Sequence, residues 1–197
     1  MNMRDWNPSI EVESARGTRE VSLMTRNLTR RKIFLLGPID SEAANDFLMQ
    51  MLYLDSTDGP IDIIINSPGG EVNAGLVIYD LIQSAKCEVN IYCAGMASSM
   101  AALILAGGAK GHRFILPHSK TLIHEPLIAG GIGGSATSIR SISDGILETR
   151  KITNGILAKH TGKSEEEIDE ATSFDNMMNA EQTVEFGLCD KVVDRIG

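Results

Sequence analysis

No stretch of this 197-residue chain reaches the roughly 18 consecutive apolar residues that a membrane-spanning helix requires. The opening residues, Met1 to Pro8, contain no apolar core of the kind a secretion leader needs, and a cytoplasmic location is expected. Cysteine is scarce. Cys87, Cys93 and Cys189 show no metal-ligand spacing, which points to reduced thiols, with Cys93 and Cys189 as core filler in apolar runs. Positive charge is short as well: 18 Lys and Arg against 26 Asp and Glu leave a net charge of −8, a poor surface for nucleic acid. Glycine-rich loops of phosphate- or dinucleotide-binding spacing are missing, so no cofactor is expected. What is present is a hydrophobic content of 43%, enough for one globular domain with a real core.

Along the chain, residues 1–31 are polar and charged. They read as an N-terminal arm fixed only against a partner, with one short amphipathic turn at Val21, Leu23, Met24 and Leu28. Residues 32–197 read as the single folded domain. Lys32 to Leu36 is a buried strand stopped by Gly37-Pro38, and Asp40 caps a helix whose apolar pairs recur every four residues to Leu52. Ile61 to Ile65 is a second strand and Asn66-Ser-Pro-Gly-Gly70 a loop opening the next helix. A third strand around Ile91 to Ala94 leads to Ser98-Ser99 and a small-residue helix from Met100. This alternation predicts an α/β fold with a largely parallel sheet. Arg113 to Pro117 and Lys120 to His124 are further strands.

After Ile128 to Gly134, rich in glycine, the spacing predicts a helix from about Ala136 to His160. At 1.5 Å per residue it is about 37 Å long, more than one sheet face can cover. It is expected to project and to pack on another subunit, with Gly145 and Gly155 marking close contacts or bends. Ser164 to Glu167 is a capping box for a short helix, Asn179 to Phe186 is another helix stopped by Gly187, and Leu188 to Val193 closes as a strand.

The chemistry concentrates at Gly95-Met-Ala-Ser-Ser-Met100. A serine on a sharp strand-to-helix turn exposes its hydroxyl beside the free amides of a helix start. It can serve as a nucleophile, or it can merely cap the helix. Of four histidines, His112 and His118 sit beside glycine or proline like loop residues, and His160 suits a helix C-terminus, where a cation is favoured. His124 differs in closing an apolar strand, at the sheet end where catalytic groups of open α/β folds gather. Asp175 lies in an irregular connection between two capped helices. The amides of Gly70 and Met100 are candidate oxyanion donors.

Five segments occur together, in order and spacing: Asn66 to Gly70, Gly95 to Met100, Ala106 to Gly111, Ile123 to Pro126 and Glu185 to Asp190. Their arrangement resembles the Clp protease proteolytic subunit (ClpP) family from about Ser14 to the C-terminus. The resemblance implies a crotonase-like fold of repeated β-β-α units with a projecting handle helix, at about 127–160. It also implies Ser99 as nucleophile, His124 as general base, Asp175 as its partner, and Gly70 and Met100 as the oxyanion amides. Substrate backbone is then expected to add as a strand along Pro126, Leu127 and Ile128 and along the loop at Gly69 and Glu71. Heptameric rings stacked to fourteen subunits, an arm lining the axial pore, and an AAA+ unfoldase that uses the ATP and feeds unfolded chains are further implications.

This chain departs from the family pattern at Ala101, Glu125, Ser135, Ser173 and Phe174, and in the arm at Val21, Leu23 and Met24. Such changes suit a paralogue that works in mixed rings or stays conditionally active as a structural subunit. A crotonase-type acyl-thioester enzyme shares the fold but would use carboxylates and a coenzyme A pocket.

Overall fold

Isoleucine-rich runs that are apolar on both faces suit strands covered on both sides, and three of them build the centre of the molecule. The computed structural model describes residues 8–14, 17–128 and 133–197. Strands β1 (Ser9–Ser14) and β2 (Gly17–Ser22) pair antiparallel, followed by helix α1 (Leu23–Leu28), so the described residues of this segment are not the irregular arm that their polarity suggests. The pairing sets Ile10 opposite Val21 but Glu11 opposite Glu20, a mixed pattern with too few apolar residues to announce itself as a hairpin.

Then come β3 (Lys32–Leu36), α2 (Ser41–Leu54), β4 (Ile61–Ser67), α3 (Val72–Ser84), β5 (Val89–Ser98) and α4 (Met100–Ala106). Strands β3, β4 and β5 pair in parallel. Asp40 accepts a hydrogen bond from the Ala43 amide to start α2, and Ala44, Phe47, Met51 and Leu54 turn inward from that helix. Every residue of α4 is buried, which makes it the central helix of the core.

β5 serves two sets of neighbours. Between the pairs Ile65–Cys93 and Ser67–Ala97, β4 advances two residues while β5 advances four, so β5 bulges at Gly95 (φ +107°). Before the bulge, Ile91 to Cys93 pair with β6 (Arg113–Ile115), which in turn pairs with β9 (Lys191–Val192). After it, Met96 to Ser98 pair in parallel with β7 (Lys120–Ile123), whose other edge carries the antiparallel β8 (Asn176–Met178). β8 is a strand where the sequence reads as irregular. It spans three residues and finds its partner some fifty positions upstream.

The remaining helices are α5 (Ala136–Thr161), α6 (Glu165–Thr172) and α7 (Ala180–Phe186). The Ser164/Glu167 box starts α6, an Asn179/Gln182 box starts α7, and Gly187 ends α7 at φ +95°. In α5 only Thr153, Asn154 and Leu157 are buried, so the helix stands on the body by its C-terminal third. A Cβ at Gly145 or Gly155 would meet nothing within 4 Å, so neither marks a close contact within the described part of this chain. Of the glycine-rich segment expected before α5, residues 129–132 lie outside the described residues. No helix among the described residues is long and apolar enough to cross a membrane.

On β6, Arg113 ties several elements of the domain together. Its side chain is 4% exposed, and Nη1 donates to the carbonyls of Ala106, His160 and Gly187, at the last turns of α4, α5 and α7. Nε and Nη2 bond both oxygens of Asp190, at 3.0 and 2.5 Å. Burial pushes the Asp190 carboxyl up, but its bonds from Arg113 and from the Gly111 and Arg113 amides outweigh this and hold it below the usual range. His160 does not sit there as a cation. Burial, with Lys159 and Arg113 adding to it, pushes its imidazole down, and Nε2 pairs with the Tyr79 hydroxyl at 2.9 Å.

Candidate active site

Strand register delivers three side chains to one place. In the parallel pair β5–β7, Ser98 lies opposite Leu122, so Ser99 leaves β5 level with the end of β7. In the antiparallel pair β7–β8, Ile123 lies opposite Asn176, so one step further sets His124 facing Asp175. The Ser99 amide completes the ladder by donating to the Leu122 carbonyl at 2.7 Å.

Ser99 is bent out of strand conformation, at φ +54° and ψ −124°. Among the described residues only Arg31 shares a positive φ without being glycine. Such a backbone is costly for a residue with a Cβ, on the order of 1–3 kcal/mol, and persists because the surroundings demand it. The hydroxyl is not spent as a helix cap. Ser99 is the N-cap residue of α4, yet its side chain makes no capping bond. Its Oγ instead lies 2.9 Å from Nε2 of His124. Ser98, one residue earlier, is 7% exposed.

The other ring nitrogen of His124, Nδ1, lies 3.4 Å from Oδ1 of Asp175. The His124 side chain is 19% exposed and that of Asp175 74%, so the serine end of this line is enclosed and the aspartate end open. A hydroxyl, an imidazole and a carboxylate in that order can pass a proton from the hydroxyl to the ring while the carboxylate holds the tautomer.

The loop after β4 closes over the serine turn. Ile39 donates to the Gly69 carbonyl at 2.9 Å and accepts from the Glu71 amide at 2.7 Å, leaving Gly70 between two anchored neighbours. A Cβ on Gly69 (φ +87°) would come 2.7 Å from Cβ of Ser99 and collide with the Ser98 carbonyl, and one on Gly70 would collide with the Ile39 carbonyl. Only glycines let the loop approach this closely. The amides of Gly70 and Met100 make no hydrogen bond to any described residue. Amides left free in this way are the kind of donor that a developing oxyanion needs.

Beside the serine lies a small, partly open hollow lined in part by Ser99 and His124. Its walls are Val72, Leu103, Ile123 and Pro126, closed by Thr153 and Leu157 from the base of α5. The Thr153 hydroxyl is spent on the carbonyls of Thr149 and Arg150 in its own helix, both at 3.1 Å, so the hollow is apolar. Of the residues expected to hold substrate, Pro126 lines this hollow. Gly69 is buried against the serine turn, Gly70 and Glu71 are exposed at the rim, and Leu127 and Ile128 are 71% and 40% exposed without lining it. The wall residues of α5 escape sequence reading because a helix of twenty-six residues gives no sign of which turn meets the site. Cys93 and Cys189 take no part, since burial pushes both thiols up to about 12.

A profile of the family described as Clp protease matches residues 15–196.

Proposed function

The chain belongs to the Clp protease family, and we propose that it is a serine endopeptidase with Ser99, His124 and Asp175 as its catalytic line. The observation that carries this reading is the 2.9 Å contact between Ser99 Oγ and His124 Nε2, made by a serine that caps nothing. His124 takes the hydroxyl proton as Ser99 attacks a peptide carbonyl. The Gly70 and Met100 amides hold the resulting oxyanion, and Asp175 keeps the imidazole in the tautomer that accepts at Nε2. The proton then passes to the departing amine, and water, activated by His124, hydrolyses the acyl-enzyme. The apolar hollow takes the side chain on the acyl side of the cut, which favours residues such as Leu, Met or Phe there. Substrate backbone runs as an added strand between Gly69–Glu71 and Pro126–Ile128, a mode that tolerates varied sequence.

Family members generally form oligomeric rings that work with AAA+ partners, and the same arrangement is proposed here. Subunits form heptameric rings stacked through α5, a cytoplasmic AAA+ unfoldase spends the ATP, and unfolded chains are the substrate. A second reading, a subunit active only when stacked on the ring of a paralogue, is favoured by the long 3.4 Å contact to a largely exposed Asp175.

A fluorophosphonate probe tests the chemistry. Wild type and Ser98→Ala are expected to be labelled at Ser99, and Ser99→Ala not at all. Labelling that survives in Ser99→Ala, or is lost only in Ser98→Ala, overturns the assignment. Labelling that appears only on mixing with a paralogue selects the second reading.

A further inference from the structure

The His124–Asp175 alignment is held from outside the site. Glu125 follows His124 directly, and α6 ends at Thr172, three positions before Asp175. The Glu125 amide donates to the Thr172 carbonyl at 2.7 Å, so the two segments are joined just beyond the strand ends. Each also places a carboxylate on one guanidinium of the long helix. Arg150 has Nε 3.3 Å from Glu125 Oε2 and Nη2 3.0 Å from Asp169 Oδ1. Asn154, one turn further along α5, donates to the same Asp169 oxygen at 3.0 Å, and the Thr172 hydroxyl lies 3.5 Å from its Oδ1. The Arg150 Nε is shut off from solvent and makes no aligned hydrogen bond, so its tie to Glu125 is one of charge.

We infer that Arg150 is a positioning residue: from α5 it clamps the segment bearing His124 to the segment bearing Asp175, and so sets how well the base and its carboxylate line up. The inference rests on the catalytic reading above. It assigns Arg150 no contact with substrate, since the hollow beside Ser99 is walled by Thr153 and Leu157 of the same helix and not by Arg150. The clamp reinforces the Glu125–Thr172 backbone bond beside a weakly held group, since among the described residues the Asp175 carboxylate has only its 3.4 Å contact with His124. It also ties the catalytic corner to a helix whose outer two-thirds is exposed. A displacement of α5 therefore reaches the imidazole through two carboxylates.

The test is steady-state cleavage of a fluorogenic peptide by the full-length protein as it assembles, with native mass measured in parallel. Arg150→Met is expected to lower kcat about tenfold, as a sub-ångström misalignment does, with KM within about twofold and unchanged mass. Arg150→Lys, which restores a charge but not the two-ended fork, recovers part of the loss. Adding Asp169→Asn to Arg150→Met costs nothing more, because the pair acts as a unit.

An unchanged kcat, a loss carried by KM alone, additive losses or a fall in mass would each overturn the clamp. Should Arg150→Met not fold, Glu125→Gln and Asp169→Asn keep shape while removing charge, and each must lower kcat at constant KM. Wild-type protein that neither cleaves peptide nor takes the fluorophosphonate probe overturns the hydrolase reading itself. Active wild type with an indifferent Arg150→Met removes only the clamp.

Discussion

Two corners of this domain hold charged or polar side chains in opposite ways. At the Arg113 corner a guanidinium 4% exposed bonds both oxygens of Asp190 and the last turns of three helices, and each of its three nitrogens has a partner. At the Ser99 corner a strained backbone, one 2.9 Å contact and one 3.4 Å contact leave two amides without partners among the described residues and a carboxylate largely in solvent. The first corner stabilises; the second keeps bonding capacity unspent among the described residues. A fold kept together at one place can tolerate strain and vacancy at another.

The contrast can be broken by substitution, because each corner ought to answer in only one readout. The largest effect is expected from Ser99→Ala. Peptidase activity should fall by about 10⁴-fold or more, equivalent to at least about 5.5 kcal/mol of barrier, with an essentially unchanged melting temperature, since the hydroxyl caps nothing and alanine keeps the Cβ. A melting temperature that drops sharply would move Ser99 into the stabilising class. Next, Asp190→Ala strands a buried guanidinium and should cost about 3–5 kcal/mol of stability in denaturant titration. The surviving folded fraction should keep its kcat; a specific loss of kcat at full folding would erase the distinction.

Asp175→Asn sharpens the contrast. A tightly held aspartate in such a line is worth about 10⁴-fold, but one 3.4 Å away and open to solvent should cost nearer about 10²-fold, roughly 2.7 kcal/mol. The smallest effect is a pH dependence at the Arg113 corner. The pKa of His160 is lowered in the fold, so between that value and the unfolded 6.5 only the unfolded chain takes up the proton. Its contribution is therefore complete above pH 6.5 and declines as pH falls towards the folded value. Denaturant midpoints at pH 7.5 and 5.5 should differ more for wild type than for His160→Gln; equal differences would remove His160 as a source.

The features legible in the sequence are the ones written locally. Asp40, the Ser164/Glu167 box and the Asn179/Gln182 box start helices with neighbours three residues away, and Gly187 stops one at a left-handed turn. Each can be read without knowing the fold. Ser99 and His124 are legible as a turn and a strand end, although the residues alone leave cap and loop roles open, and the joint assignment comes from five motifs in register with a family. What escaped depends on partners far along the chain. β8 is a strand only because β7 is beside it, and Asn-Met-Met carries no alternation long enough to show it. Arg113 looks like the polar start of a strand until Ala106, His160, Gly187 and Asp190 close around it. His160, at a helix end, invites a positive charge by local rules, but burial against Tyr79 reverses that preference. The hairpin at 8–22 has three apolar residues in its facing strands, below what a periodic pattern can reveal.

β5 runs unbroken from the body of the sheet to the turn at Ser99, with a two-residue surplus at Gly95. Side chains along a strand alternate in outlook, so one residue gained or lost between Gly95 and Ser99 would exchange the outlooks of the two serines. The Ser98 hydroxyl would then meet the imidazole, and that of Ser99 would be buried. At the bulge itself the same change has slack to absorb it. Tolerance to insertions and deletions should therefore drop abruptly within four residues, which makes the length of that short span, as much as its composition, a requirement of the proposed chemistry.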